Sequence, residues 1–227
     1  MVLRRGMWPS ASFRQCTSDL KTGPIGKFIR QDLKARGKTL AVNCMGLRAE
    51  ESANRAKKEA LTLNKKWSLS SGARTVYDWL PIHDMLEGEV YDTIYQAGKK
   101  PHPAYGARGE LNTRLSCVFC IMGCQNDLAH GAMENPHLYA TYVAIEKVIG
   151  HTMFTKSRTK QGVKTTIPVP LEEYTGVPAD AGLVAEVMPS IVQQYENEQA
   201  FQKELESNRN GEAGVEDSDH QMGLLVA

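Results

Sequence analysis

Residues Thr39-Leu-Ala-Val-Asn-Cys-Met45 form a short apolar run that ends at Gly46, and a segment rich in helix formers, Leu47 to Leu61, follows at once. That succession limits the possible folds more than any other stretch of the chain. An apolar run of this length predicts a buried strand, the glycine its end, and the next residues a helix. Strand, turn and helix in that order predict an α/β protein. In open α/β sheets, anions bind where the carboxyl end of a strand meets the free amides of a helix start. Arg48 and Arg55 add charge suited to bidentate phosphate or sulfate contacts, and Ser52 adds a hydroxyl donor. An ordinary solvated amphipathic helix would carry the same charges, and spacing does not separate the two readings. Cys44, inside the run, is expected to be a core thiol.

A second constraint is the spacing C-x-x-C-x-x-x-C at Cys117, Cys120 and Cys124. Two sulfurs three residues apart reach one metal from a single tight turn, and a third four residues on can join them. The alternative is a set of buried apolar thiols beside Val118, Phe119, Ile121 and Met122. His130 and His137 flank the stretch as candidate further ligands. Cys16 lies between Arg14 and Lys21, cations that favour a thiolate. Five cysteines, an odd number, with no apolar leader at Met1-Val-Leu-Arg-Arg predict a reducing, cytoplasmic setting rather than a disulfide framework. No apolar run approaches the ~20 residues that span a bilayer, so no membrane role is expected. A net charge of +1 gives no global signal for nucleic acid.

Along the chain, residues 1–24 read as loop, and Pro24 to Arg36 has helical apolar spacing. Asn64 to Gly72 is turn-like, and Arg74 to Ile82 is β-rich with Pro81 near its end. His83 to Ala97 predicts a helix stopped by Gly98, with His83 in a structural or capping role. The Pro/Gly loop 99–109 carries Lys99, Lys100, His102, Tyr105 and Arg108, either as a rigid connector or as a second set of anion contacts. A helix is expected over Glu134–Ile149, with Pro136 in its first turn. Residues 151–180 read as irregular, with a basic patch at Lys156, Arg158, Lys160 and Lys164 that lacks interleaved aromatics and so suits a solvated surface. The expected organisation is a domain over 1–180, a helical extension over 181–206 and a disordered tail over 207–227.

Four ordered segments resemble the phosphoadenosine phosphosulfate (PAPS) reductase family. They are Arg14-Gln-Cys-Thr-Ser-Asp-Leu-Lys-Thr-Gly-Pro24; Gly46-Leu-Arg-Ala-Glu-Glu-Ser52 with Arg55; Leu80-Pro-Ile-His-Asp84 with Val90 and Tyr91; and His102-Pro-Ala-Tyr-Gly106 followed by Cys117-Val-Phe-Cys120. The likeness covers about residues 8–155 and fits the family's C-terminal half, and phage and plasmid members look similar. It implies a Rossmann-like (adenine nucleotide alpha hydrolase-like) parallel sheet without its N-terminal strands, binding ATP or PAPS. Gly46, Arg48, Ser52, Arg55, Lys21, His102 and Tyr105 are the nucleotide-binding residues it implies. In iron–sulfur members, including the sulfurtransferases of DNA phosphorothioation, cysteines from two separated segments hold a [4Fe-4S] cluster. The corresponding ligands here are Cys16, Cys117 and Cys120, with Cys124 as the fourth.

The family's Ser-Gly-Gly-x-Asp-Ser phosphate loop and its Glu-Cys-Gly-x-His tail have no counterpart in this sequence. The resemblance therefore implies a fragment, a split protein whose partner chain supplies the loop, or a remnant repurposed for binding. The expected activity is iron–sulfur-dependent sulfur transfer or oxidoreduction on an adenine nucleotide. The alternatives are a non-catalytic interaction module held by Zn²⁺ on the same four thiols, and a component of a nucleic-acid-modifying sulfurtransferase. The catalytic residues are not named by the sequence.

Overall fold

The computed structural model describes residues 1–107, 109–112, 116–160 and 163–216, with side chains through 208 except those of 160, 163 and 164. In chain order the elements are α1 (Val2–Arg5), α2 (Gln15–Thr17), a π-turn (Ser18–Thr22), α3 (Gly23–Ala35), β1 (Leu40–Cys44), a 3-10 turn (Ala49–Glu51), α4 (Ala53–Ala56), β2 (Leu61–Leu63) and β3 (Thr75–Trp79). Then come α5 (Glu87–Gln96), a 3-10 turn (Pro103–Tyr105), α6 (Gln125–Glu134), α7 (Pro136–Ile149), β4 (Phe154–Lys160), β5 (Val163–Val169), α8 (Leu171–Thr175) and α9 (Ala181–Glu216). These elements form two compact units, one of Met1–Phe13 with Ser116–Ala227 and one of Arg14–Leu115.

The Arg14–Leu115 unit is built on a sheet in the order β1-β3-β2. β1 and β3 run parallel, with Val42 opposite Tyr77 and Cys44 opposite Trp79, while β2 joins β3 antiparallel. The fold is thus α/β as expected, and its sheet is mixed. Val76 is fully buried, and Leu33 of α3, Trp67 and Leu80 are also buried. A β-carbon at Gly26 of α3 would lie 2.5 Å from Trp67 Nε1, so only glycine lets the helix come this close to the ring. Asp78 accepts from Asn43 Nδ2 at 2.8 Å and from Asn64 Nδ2 at 3.0 Å, which ties the polar rung Asn43–Asp78 to the turn beyond β2.

Three expectations for this unit are corrected. β1 lies at a sheet edge, not in the interior, and Cys44 is exposed, not a core thiol. The helix expected over Leu47–Leu61 is a 3-10 turn, a single helical turn and strand β2. Ser52 is extended at φ −174° and breaks the helix, its Oγ accepting from Arg55 N at 3.3 Å; hydroxyl residues favour such caps over helix interiors. The helix expected to open at His83 starts at Glu87, because Leu80–Met85 closes its own turns through His83 N to Leu80 O and Met85 N to Ile82 O.

The other unit packs α7 against α9 around a core of Trp8, Phe119, Leu128, Tyr139, Val143, Leu171, Val184 and Ile191. Phe119 lies 5.4 Å from Tyr139 and 4.9 Å from Tyr142, ring centre to ring centre. Residues 151–180, expected to be irregular, form the antiparallel β4–β5 hairpin and α8. Buried Glu146 makes this possible, accepting from Met153 N at 2.6 Å and from Leu171 N at 2.8 Å, so one carboxylate fixes both ends of the hairpin. Residues 1–24, read as loop, contain α1, α2 and the π-turn. A helix over Gln125–Glu134 precedes the expected one, with Cys124 at its N-cap. The helix of α9 continues to Glu216, past Ser207, where polar composition predicts loss of order; the remainder of that tail is outside the described residues.

Candidate functional site

β1 and β3 end side by side, and Met45 N donates to Trp79 O at 2.9 Å to extend their pairing by one step. The loops that leave these two ends are then joined, Ala49 N donating to His83 O at 2.8 Å. Gly46, Arg48, Ser52 and Arg55 therefore gather beside His83 at the carboxyl end of a parallel strand pair, the place where α/β sheets bind ligands. Gly46 has no steric need to be glycine, since a β-carbon there would meet only Ile82 Cδ1 at an ordinary 3.7 Å.

The two arginines are held by acids of their own loop. Arg48 Nη1 contacts Glu50 Oε2, and Glu51 lies within ion-pair reach of its Nε at 3.9 Å. Arg55 Nη1 contacts Glu51 Oε2. Glu50 Oε2 also accepts from Glu87 N at 2.8 Å, at the first turn of α5. Arg48, with 14% of its side chain exposed, is thus pre-oriented, but its charge is already met by a carboxylate. An incoming phosphate or sulfate would have to exchange with Glu50 or Glu51. The four-residue α4 is too short to contribute the dipole that the sequence suggested.

His83 is buried, with Nε2 donating to Arg55 O at 3.0 Å and Nδ1 at 3.0 Å from Asp84 Oδ1. Both ring nitrogens face acceptors, so the protonated ring is favoured; the Arg55 carbonyl first and Asp84 second raise its pKa above 6.5. Its role is to join the two loops, in keeping with the structural reading of this residue.

The 103–112 loop lies along α5. Tyr95 OH donates to Ala107 O at 2.7 Å, and Tyr105 meets Tyr91 edge-on at 6.4 Å. Gly109 has φ +90°, and a β-carbon there would fall 3.0 Å from Tyr91 OH and 3.3 Å from Glu87 Oε1. Burial, then the charges of Glu87 and Glu110, push the Tyr91 phenol up, while Arg48 opposes them. Arg48, Glu87, Tyr91 and Tyr105 are therefore electrostatic neighbours. Glu50, Glu51, Glu87 and Tyr91 were not among the nucleotide-binding residues expected from sequence, although Glu50, Glu51 and Tyr91 lie in the segments that resemble the family; Glu50 and Glu51 stand between the two arginines, where their pairing was the available signal. His102 caps its own turn, with Nδ1 accepting from Ala104 N at 3.2 Å. Lys21 is exposed in the π-turn, and no hydrogen bond or ion pair ties it to this cluster among the described residues. Arg108 lies outside the described residues.

All five cysteines are free thiols. Cys120 Sγ accepts from Met122 N at 3.4 Å and Cys124 Sγ from Asp127 N at 3.5 Å. The donor chemistry of Cys117, Cys120 and Cys124 suits iron–sulfur or zinc ligation, and none is deeply buried. The structure does not gather them: among the described residues no three His, Cys, Asp or Glu side chains form a group that could hold a metal. Cys16 belongs to the other compact unit.

A family model described as phosphoadenosine phosphosulfate reductase domain matches residues 3–130. No curated protein and no solved structure matches the chain. The matched span contains β1, β3, the arginine loop between them and the Cys117–Cys124 turn, and it covers more than half of the 227 residues, so the chain belongs to the phosphoadenosine phosphosulfate reductase family.

Proposed function

We propose that the carboxyl end of the β1–β3 pair binds the phosphate or sulfate group of an adenine nucleotide, ATP or PAPS, through Arg48 and Arg55. The observation that carries this reading is the convergence of both arginines and His83 on the one sheet end where parallel strands leave backbone amides for a ligand. Binding proceeds by exchange, the ligand anion replacing Glu50 or Glu51 as guanidinium partner. Tyr105 and Tyr91 form the neighbouring wall. Calorimetric titration with ATP and with PAPS tests this. Arg48→Ala is expected to weaken binding by at least about 10-fold, and absence of binding by the wild-type chain to either nucleotide rejects the reading.

The proposal extends to sulfur transfer or oxidoreduction with Cys16, Cys117, Cys120 and Cys124 as ligands of a [4Fe-4S] cluster. When bound, such a group supplies an electron-accepting, sulfur-presenting centre. The chain's own part is to present four thiols, two of which accept hydrogen bonds from backbone amides. Iron and acid-labile sulfide in anaerobically purified protein, lost together in Cys120→Ser, are the expected result. Zinc in their place would support the non-catalytic module instead.

One observation favours a second reading, a role on nucleic acid. Alternation places Lys156 and Arg158 on one side of β4, and no acidic residue occurs from His151 to Pro170. A two-stranded ribbon fits a duplex major groove, and basic side chains on it would meet phosphates. Lys156 contacts Glu173 at 3.2 Å across an exposed pair worth little in water. Salt-dependent duplex binding, with a slope lowered in K156Q/R158Q, is expected; equal slopes for the variant and the wild type reject this reading.

A further inference from the structure

Helix α3 meets the rest of its unit along a narrow strip. Gly26 and Leu33 are buried, and Gly26 rests against Trp67. Most of the remaining helix surface, and the π-turn before it, face outward. Leu20 is 63% exposed, Ile25 43% and Phe28 66%. Ile25 and Phe28 stand three residues apart and so are neighbours on the helix surface. The charge around them is one-sided. Residues 21–38 carry Lys21, Lys27, Arg30, Lys34, Arg36 and Lys38, all exposed, against a single acid, Asp32. Asp32 accepts from Arg36 Nε at 2.8 Å, and among the described residues no ion pair holds the other five cations. Six cations and one acid give this stretch a net charge of +5, within a chain whose total is +1.

We propose that α3 and the π-turn before it form a docking surface for an anionic lipid bilayer, on which the chain lies without crossing. Among the described residues no helix is long and apolar enough to cross a membrane. Surface attachment needs a different pattern: exposed apolar tips that enter the headgroup region, flanked by cations that meet acidic lipids. Leu20, Ile25 and Phe28 supply the tips, and Lys27, Arg30 and Lys34 the flanking charge. The chemistry separates a bilayer from the other occupants a basic face could take. Single-stranded nucleic acid stacks on aromatic rings, and two of these three apolar side chains are aliphatic. A protein partner would need a recess shaped to a convex helix, whereas fluid acyl chains close around any protruding tip. The exposed apolar face of the β1-β3-β2 sheet, with Leu40, Val42, Leu61 and Leu63, carries no charge and so lacks this selectivity. The membrane contact does not rest on nucleotide binding.

Co-sedimentation of the full chain with vesicles tests the proposal. Vesicles of phosphatidylcholine alone are compared with vesicles containing about 30% phosphatidylserine, at about 0.1 M salt. The wild type is expected to bind the anionic vesicles at least about 10-fold more tightly than the neutral ones, and to be released as salt rises. K27Q/K34Q is expected to weaken binding to the anionic vesicles about 25-fold, at about 5-fold per cation. Phe28→Ser is expected to weaken it about 5–10-fold while keeping the preference for anionic lipid. The replaced side chains are exposed, so circular dichroism should be unchanged, and the two variants test charge and apolar insertion separately. K147Q/K203Q removes the same charge from exposed positions on α7 and α9 and should bind as the wild type does. A wild type that ignores anionic vesicles, or equal affinities for K27Q/K34Q and K147Q/K203Q, overturns the proposal. So does a single-stranded oligonucleotide that binds this surface where vesicles do not.

Discussion

Removing the Glu146 carboxylate leaves the amides of Met153 and Leu171 buried without an acceptor. Burial pushes this carboxyl's pKa up, while the two amides hold it back. Glu146→Ala should cost about 2–5 kcal/mol, measured by urea unfolding, since each orphaned buried donor costs about 1–3 kcal/mol. His83 gives a pH dependence of defined sign. Its pKa is raised in the fold, so its contribution is fully present below 6.5, the ordinary value, and is lost as pH rises through the raised value. Melting temperatures of wild type should therefore fall across that window relative to His83→Gln, which does not titrate. Equal slopes for the two proteins would show that the ring gains no proton on folding. Neither residue's role was legible from spacing: Glu146 sits in an ordinary helix sequence, and its partners come from the two ends of a hairpin.

At the scale of elements, glycine positions carry the sharpest tests. A β-carbon at Gly131 of α6 would lie 2.9 Å from Val118 Cγ1 and 3.2 Å from Val118 O. This glycine lets the Cys117–Cys120 turn rest on the helix. Gly131→Ala gains about 1 kcal/mol of helix propensity, yet is expected to be destabilising overall by about 1–2 kcal/mol in thermal unfolding, because backbone must move. Gly26→Ala should likewise cost about 1–3 kcal/mol by forcing α3 away from Trp67. Helices with strong period and clear stops, such as α3 and α7, were legible in the sequence. The Leu47–Leu61 segment was not, because helix propensity is a weak prior and pairing with β3 overrides it. The β4–β5 hairpin was hidden by its polar composition, which satisfies strand alternation without an apolar signal.

Across the whole molecule, burial is unevenly shared. The unit containing α7 has Tyr139, Ala140, Val143 and Ala144 nearly inaccessible, whereas β1 alternates between exposed and half-buried residues. Native-state hydrogen exchange should therefore be slowest in α7 and much faster in β1 and β2, with opening free energies differing by several kcal/mol. Comparable protection in β1 and α7 would contradict this distribution. The sequence alone determined the α/β class and the ordered segments shared with the PAPS reductase family. Those depend on local period, turn chemistry and short spacing. Tertiary structure alone decided that Cys44 faces solvent, that Glu50 and Glu51 occupy the arginines, and that one sheet face stands bare. Alternation tells which side chains share a face of a strand, but only long-range packing decides whether anything covers it.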